Sequence, residues 1–272
     1  MPLPIPYYDG HVHIFPEHWQ RRIYHWFHRA GWKIRYQDFY EESLWDELVR
    51  HGMQGASVLV YAHRPGIARD LNQWLYAWGR THPEARLYGT VHPDDPDLPE
   101  IVETVLDSWS MAGFKIHANV QAVRLDDARL DPLYRAVLER NRGVVVHAGR
   151  EPHANATVGV GYFASLMARY PRLRVQVAHL GFDEVEAFLR LMEQYPNLYL
   201  DTAAIPSTQL TIGMEALRAV IHHFPDRIIY GSDVPILEEP FDAHWWRIWE
   251  ACAQEPIRQK VFRLNLERFW NG

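Results

Sequence analysis

The chain has 272 residues, a length that single α/β barrels commonly reach without dividing their core, and we predict one domain over residues 1–272. Hydrophobic residues make up 47% of the chain and charged residues 23%, which provides material for a sizeable core and excludes a disordered protein. The formal net charge is −6 and no run of basic residues occurs, so the chain lacks the electrostatic signature of a nucleic-acid-binding protein.

Short apolar segments rich in β-forming residues recur along the chain, and each predicts a strand. The eight predicted strands cover residues 5–13, 56–62, 86–92, 113–118, 144–148, 174–180, 198–202 and 228–234. Segments with helical period separate most of them. One helix is predicted over 132–142 with Asp131 as its cap, and another after Asp183, where Val185 and Phe188 share a face. Eight such β and α units predict an α/β fold of the (β/α)₈ TIM-barrel type.

About forty residues separate the first two predicted strands, and this interval is unusually aromatic. It follows the carboxyl end of a strand, which is where barrel enzymes build their active sites. The insertion therefore forms either a lid or substrate wall, or a satellite packing cluster or subunit contact; the sequence leaves both interpretations open. Its aromatic residues include Trp19, Tyr24, Trp26, Phe27, Trp32, Tyr36, Phe39, Tyr40 and Trp45.

The segment Asp9-Gly10-His11-Val12-His13 places two imidazoles at alternating strand positions, so both point toward the barrel interior. Such a pair alone is weakly specific, because ordinary core hydrogen bonds can satisfy two histidines. Gathering several ionisable groups in an apolar barrel mouth is costly unless they bind an ion or each other. We therefore expect a divalent ion. Later predicted strands also finish with ionisable residues, namely Lys115 and His117, then His147, then His179, then Asp233.

Neutral imidazoles and a carboxylate suit Zn²⁺ and related divalent ions, and three or four protein ligands leave a position open for water. Zinc lowers the pKa of such a water to about 7, which provides a nucleophile near neutral pH. Asp233 would ligate the ion and accept the proton, while His179 would polarise the substrate or protonate the leaving group. The residues alone do not separate these roles.

Five segments carry these groups in a fixed order: residues 9–13, 113–117, 145–149, 177–181 and 229–235. Together with the terminal segment 263–269, they resemble the amidohydrolase superfamily over nearly the full chain. The resemblance is to its amidohydrolase-related branch, which includes aminocarboxymuconate semialdehyde decarboxylase, resorcylate-type decarboxylases and pyrone-dicarboxylate lactonases. It implies that His11, His13, His147 and Asp233 are metal ligands, and that His179 is a catalytic histidine or a ligand to a second ion.

Lys115 leaves the number of ions open. Some members of the superfamily carboxylate a lysine on the fourth strand so that it bridges two ions, and Lys115 with His117 resembles that arrangement. A plain amine would instead bind a substrate carboxylate or a neighbouring acid. We expect one ion, most simply Zn²⁺, and two if Lys115 is carboxylated. Lys115 and His179 are thus the second-metal or substrate candidates.

Further cationic groups near the predicted strand ends favour a small carboxylated substrate, because arginine clamps a carboxylate through two hydrogen bonds. Asp201, near the end of the seventh predicted strand, is interpreted as a cap of the following segment and is left outside the site. The candidate substrate-binding residues are His117, Arg64, Arg150 and His153.

The leading hypothesis is a metal-dependent hydrolase that cleaves an amide, a lactone or a similar bond, with Asp233 as the base. The alternative is a non-oxidative decarboxylase of an unsaturated or aromatic acid, because the same ligands would bind that substrate while Asp233 or His179 protonates carbon. A third hypothesis is a non-catalytic metal-binding protein. It ranks below the other two, because Asp233 and His179 would then have no catalytic role.

The predicted partner is a small molecule, with no nucleic acid and no membrane, and a homo-oligomer is left open. Residues 1–6 contain neither a basic region nor a long apolar stretch, and no later segment is long enough to span a bilayer. The single cysteine, Cys252, excludes an internal disulfide framework and suits a reducing compartment. We therefore expect a cytoplasmic protein.

Overall fold

The computed structural model describes residues 3–150, 155–205 and 212–272. Its strands form one parallel sheet in sequential order. Beyond the eighth strand, Val234 forms a parallel bridge with Val12, so the sheet returns to its first strand. The predicted (β/α)₈ barrel is thereby confirmed. The strands are β1 (Tyr7–Val12), β2 (Met53–Leu59), β3 (Ala85–Gly89), β4 (Gly113–His117), β5 (Gly143–His147), β6 (Arg174–Val177), β7 (Leu198–Asp201) and β8 (Ile228–Ile229).

Helices connect most of these strands, and their apolar faces are buried. In the helix Val185–Gln194, which follows Asp183, the predicted residue Phe188 is buried. The helix predicted over 132–142 spans Asp131–Glu139, so Asp131 lies inside its first turn and is not its cap. The helices are α1 (Glu17–Arg29), α2 (Glu41–Arg50), α3 (Ala68–Gly79), α4 (Leu98–Glu103), α5 (Asp131–Glu139), α6 (Val160–Arg169), α7 (Val185–Gln194), α8 (Met214–His223), α9 (Phe241–Cys252), α10 (Glu255–Gln259) and α11 (Asn265–Asn271).

Across the three described stretches of chain, no helix combines the length and the apolar composition that crossing a bilayer requires. The chain divides into two compact units, each built from two separate segments of sequence. Unit 1 comprises Met1–Val58 and Thr202–Leu266, and unit 2 comprises Leu59–Asp201 and Glu267–Gly272. The single-domain organisation stays a prediction.

The core of unit 1 is aromatic. The ring of Tyr7 meets that of Tyr230 edge-on at 5.6 Å, and Phe262 stacks on Tyr230 at 4.7 Å. Burial raises the pKa of both tyrosines well above the usual value, and the charge of Asp9 raises it further. Both phenols therefore stay protonated at neutral pH and act as packing groups.

The aromatic insertion belongs to unit 1 and forms α1 and α2. Tyr24, Trp32 and Ile34 are buried in one cluster with Ile236. The Tyr24 hydroxyl donates to the Phe39 carbonyl at 2.8 Å, which fixes the turn between the two helices. The insertion therefore contains a packing cluster, while its role as a lid, a substrate wall or a subunit contact stays a prediction.

Residues of three strands in unit 2, β3, β5 and β7, pack around Phe269 of α11. Its ring stacks on Tyr88 at 6.3 Å and meets Tyr199 edge-on at 5.5 Å. Gly143 gives it room, because a Cβ there would lie 2.8 Å from Phe269 Cζ. The last residues of the sequence therefore complete the core of unit 2.

Candidate functional site

The end of β1 supplies two imidazoles in unit 1. Strand alternation puts His11 and His13 on one face, and their exposed fractions are 0% and 5%. The His13 N–H donates to the Val234 carbonyl at 2.8 Å, so sheet pairing holds this residue just past the end of the strand. Both predicted histidines are thus fixed by backbone pairing.

Asp233 reaches the same place from the segment after β8. Its N–H donates to the His11 carbonyl at 2.9 Å, and its φ of +70° is left-handed, a conformation that Asp adopts more readily than most residues. This turn directs the carboxylate at the two imidazoles. Asp233 Oδ1 lies 3.3 Å from His11 Nε2 and 3.4 Å from His13 Nε2.

The three donor atoms form a nearly equilateral triangle, since His11 Nε2 and His13 Nε2 are 3.2 Å apart. In a tetrahedral centre with bonds of about 2.0–2.1 Å, two donor atoms lie about 3.3–3.4 Å apart. The observed separations therefore fit a bound ion of zinc or manganese size. Two nitrogens and one carboxylate oxygen suit both ions, so this donor set does not distinguish zinc from manganese.

Asp9 holds the backbone at His11 and next to Asp233 through two hydrogen bonds. This carboxylate is fully buried, and its Oδ1 accepts the N–H of His11 at 2.9 Å and that of Ser232 at 3.0 Å. One oxygen thus ties the segment of His11 to the segment of Asp233. Asp9 has no role among the sequence-based predictions, because no local pattern shows that residue 232 lies beside residue 9.

We expect the purified protein to hold about one equivalent of a divalent metal, because the triangle is preformed and buried. Chelation should abolish activity and added Mn²⁺ or Zn²⁺ should restore it, with elemental analysis as the measurement. His147→Ala in the same assay tests the sequence-based assignment of His147 as a ligand. A fully active preparation without stoichiometric divalent metal would contradict the metal centre.

Within unit 2, aromatic rings at the strand ends make a continuous series of contacts. Tyr61 meets His117 at 4.9 Å, and His117 stacks on His147 at 4.0 Å. His147 meets His179 at 5.0 Å, and Phe182 stacks on His179 at 4.3 Å. The structure therefore brings three predicted histidines together, and it adds Tyr61 and Phe182, which the sequence analysis missed.

His179 does not lie on a strand. The predicted sixth strand, 174–180, is wrong beyond Val177, where β6 ends. His179 has a φ of +60°, and residues 180–182 also have positive φ. The physical reason is that the His179 N–H donates to Asp201 Oδ1 at 2.9 Å and takes no part in regular strand pairing. Asp201, left outside the site in the sequence analysis, thus contacts a predicted catalytic residue.

Lys115 is fully buried on β4, two residues before His117 and therefore on the same face of the strand. In the sheet it is paired with Val145 of β5. A buried ammonium needs compensating partners, so its burial is consistent with a specific role. Its carboxylation and its binding of a second metal or of substrate stay predictions.

The other substrate-binding candidates lie in more open positions. Arg64 is exposed. Arg150 is half-exposed and forms ion pairs with Asp183 at 3.0 Å and Glu184 at 3.7 Å. His153 lies outside the described residues. The substrate-binding role of these candidates, like that of His117, stays a prediction.

The amidohydrolase family model matches residues 8–272. One similar solved structure is a 2,6-dihydroxybenzoate decarboxylase complexed with 2,6-dihydroxybenzoate, with a TM-score of 0.72, 16% identity and 100% of both chains covered. A second is the 5-carboxyvanillate decarboxylase from Sphingomonas paucimobilis, with a TM-score of 0.68, 15% identity and coverage of 97% of this chain and 98% of that one. A third is the 5-carboxyvanillate decarboxylase from Novosphingobium aromaticivorans complexed with manganese and 4-hydroxy-3-methoxy-5-nitrobenzoic acid, with a TM-score of 0.66, 15% identity and coverage of 99% of this chain and 97% of that one.

A comparison with curated proteins gave no match. At identities of 15–16%, the similarity to solved structures shows the fold alone. The family match, by contrast, covers nearly every residue and includes the segments that carry His11, His13 and Asp233. The chain therefore belongs to the amidohydrolase family.

Proposed function

We propose that the protein is a metal-dependent, non-oxidative decarboxylase of a small aromatic or unsaturated carboxylic acid. The observation that carries the proposal is the buried triangle of His11, His13 and Asp233. It occurs in a fold shared over the whole chain with a 2,6-dihydroxybenzoate decarboxylase, and one of the similar structures contains manganese and a hydroxybenzoic acid. These similarities favour the decarboxylase alternative over hydrolysis.

A divalent ion bound at the triangle would supply Lewis acidity that binds and polarises anionic oxygens of the substrate. The two imidazoles would hold the ion as neutral ligands through Nε2, and each ring would then carry its proton on Nδ1. The Asp9 carboxylate keeps the backbone of His11 in place during the reaction.

Asp233 has a carboxylate oxygen besides the Oδ1 that faces the imidazoles, and we assign proton transfer to this second oxygen, Oδ2. A proton that Oδ2 has taken up from solvent passes to the substrate carbon that bears the carboxylate. The bond between that carbon and the carboxyl carbon then breaks, its electron pair stays with the substrate carbon, and CO₂ leaves. His179 is the alternative proton-handling residue from the sequence analysis.

Hydrolysis is the second candidate, because the matching family is that of amidohydrolases and the same donor set suits both reactions. In that case Asp233 accepts a proton from the attacking water instead of giving one to carbon. The oxygen of water then enters the product. This difference separates the two candidates.

We expect the metal-loaded protein to release CO₂ from a hydroxylated benzoate and to place one deuterium on the product carbon in D₂O. The first substrates to test are 2,6-dihydroxybenzoate and 5-carboxyvanillate, the compounds named for similar structures. Mass spectrometry and NMR measure the label, and His11→Ala protein is the control for background decarboxylation. Turnover of a lactone or amide with ¹⁸O from water in its new carboxylate, and no CO₂ from any benzoate, would overturn the proposal.

A further inference from the structure

We propose that Asp201 is a positioning residue for His179, fixing the left-handed backbone that orients its imidazole. The inference rests on the proposed function, in which His179 is one of two candidate proton-handling residues. Asp201 is the last residue of β7 and is fully buried. It contacts the backbone of His179 and lies in the same unit.

Both oxygens of this carboxylate are engaged. Oδ1 accepts the N–H of His179 at 2.9 Å, and Oδ2 accepts the side-chain amide of Gln176 at 2.6 Å. Gln176 is itself fully buried on β6, which pairs with β7. Hydrogen bonds to an ionised carboxylate are stronger than neutral ones, particularly away from water. Gln176 therefore holds the Asp201 side chain. Asp201 in turn holds the backbone of His179, two residues after β6.

The backbone around His179 needs such support. His179, Leu180 and Phe182 have φ values of +60°, +53° and +55°, although none of them is glycine. Residues with side chains adopt this region at a cost in free energy and stay there when the surroundings hold them. Four successive positive φ values, including that of Gly181, make a turn that local propensity does not favour. The bond from His179 to Asp201 anchors its first residue.

This turn sets the direction of the imidazole. The His179 ring lies flat against Phe182 at 4.3 Å, with an angle of 23° between the planes, and edge-on to His147 at 5.0 Å. If the backbone relaxed to a negative φ, the Cβ of His179 would point elsewhere and both ring contacts would be lost. A shift of about 1 Å in a reacting group can lower the rate by about 10²-fold.

The test compares Asp201→Ala with Asp201→Asn. We expect the alanine variant to lose about 10- to 100-fold in kcat with KM changed by less than about 3-fold, because the proton-handling step and not substrate affinity is affected. The asparagine variant should stay within about 3-fold of wild type. Its Oδ1 can still accept the His179 N–H, and its amide can donate to Gln176 once that side chain rotates.

Asn72→Ala is the matched control for general destabilisation. Asn72 is fully buried in the same unit and makes two hydrogen bonds, both 2.8 Å long, to the backbone of Thr90. We expect a lowered Tm and an unchanged kcat. Equal losses of kcat in Asn72→Ala and Asp201→Ala, or no rescue by Asp201→Asn, would overturn the positioning role.

Two further measurements separate this inference from the proposed function. In the background of His179→Ala, Asp201→Ala should lower kcat no further, and a full additional loss would show that Asp201 acts elsewhere. Hydrogen exchange of a peptide containing residues 178–184 should be at least about 10-fold faster in Asp201→Ala than in Asp201→Asn. This reports on the backbone even in a protein without decarboxylase activity, so equal exchange would reject the positioning role alone.

Discussion

Asp233→Asn is expected to lower turnover by about 10³-fold or more while the protein still binds its metal, whereas His11→Ala should lose both. Asparagine keeps an oxygen at the position that faces the two imidazoles, but it cannot hold or transfer the proton. His11 supplies one corner of a triangle with sides of 3.2–3.4 Å, so alanine removes a ligand outright. Elemental analysis and steady-state kinetics on the same samples measure both effects.

Thermal unfolding of each variant controls for loss of structure, and His13→Ala is the matched ligand deletion on the same strand. It should behave as His11→Ala does, because its Nε2 is the third corner of the triangle. If Asp233→Asn retains both metal and normal turnover, Asp233 does not transfer the proton and the role passes to His179.

Among substitutions that add a single methyl group within the sheet, we expect Gly113→Ala to lower the free energy of unfolding most. A Cβ at Gly113 would overlap the carbonyl oxygen of Gly143, its partner in the β4–β5 register. Because the obstacle is backbone in a central pair of strands, the strands themselves must move apart. Overpacking of this kind costs about 3 kcal/mol, at the upper end of its usual range. For a protein of this size that lowers Tm by about 6–12 °C.

Gly161→Ala is the matched control in the same unit. Gly161 lies in the first turn of α6, and an added Cβ there meets nothing within 4 Å. Because alanine favours helix over glycine, we expect an unchanged or slightly raised Tm. Equal Tm values for Gly113→Ala and wild type would show that β4 and β5 separate at little cost.

The fold was predictable because strands buried on both faces produce uninterrupted apolar runs. The run at Val144–Val146 is fully buried in β5. Strand ends were less predictable. The second strand was predicted over 56–62 but spans Met53–Leu59, because Val60, Tyr61 and Ala62 are buried but lie beyond the end of β2. An apolar pattern shows burial, and only the partner strand decides where pairing ends.

The metal triangle was predictable for two reasons. Spacing alone puts His11 and His13 on one face of a strand, and Asp233 lies near the end of the eighth predicted strand. The family resemblance then implied that all three are metal ligands. The supporting residues were not predictable. Asp9 contacts Ser232, and Asp201 contacts His179, through hydrogen bonds between residues 223 and 22 positions apart. Such contacts depend on how the chain turns after each strand, and the left-handed residues that make those turns have no distinctive sequence signal.

The three residues of the triangle come from the two separate sequence segments of unit 1, so the triangle cannot form until both segments have been synthesised. His11 and His13 leave the ribosome about 220 residues ahead of Asp233, which at about 5–20 residues per second is a delay of roughly 10–40 s. During that interval β1 lacks its neighbour β8, and the two imidazoles lack the carboxylate that completes their set. The complete triangle can therefore form only after translation has passed residue 233, and an ion that needs all three groups would bind after that point.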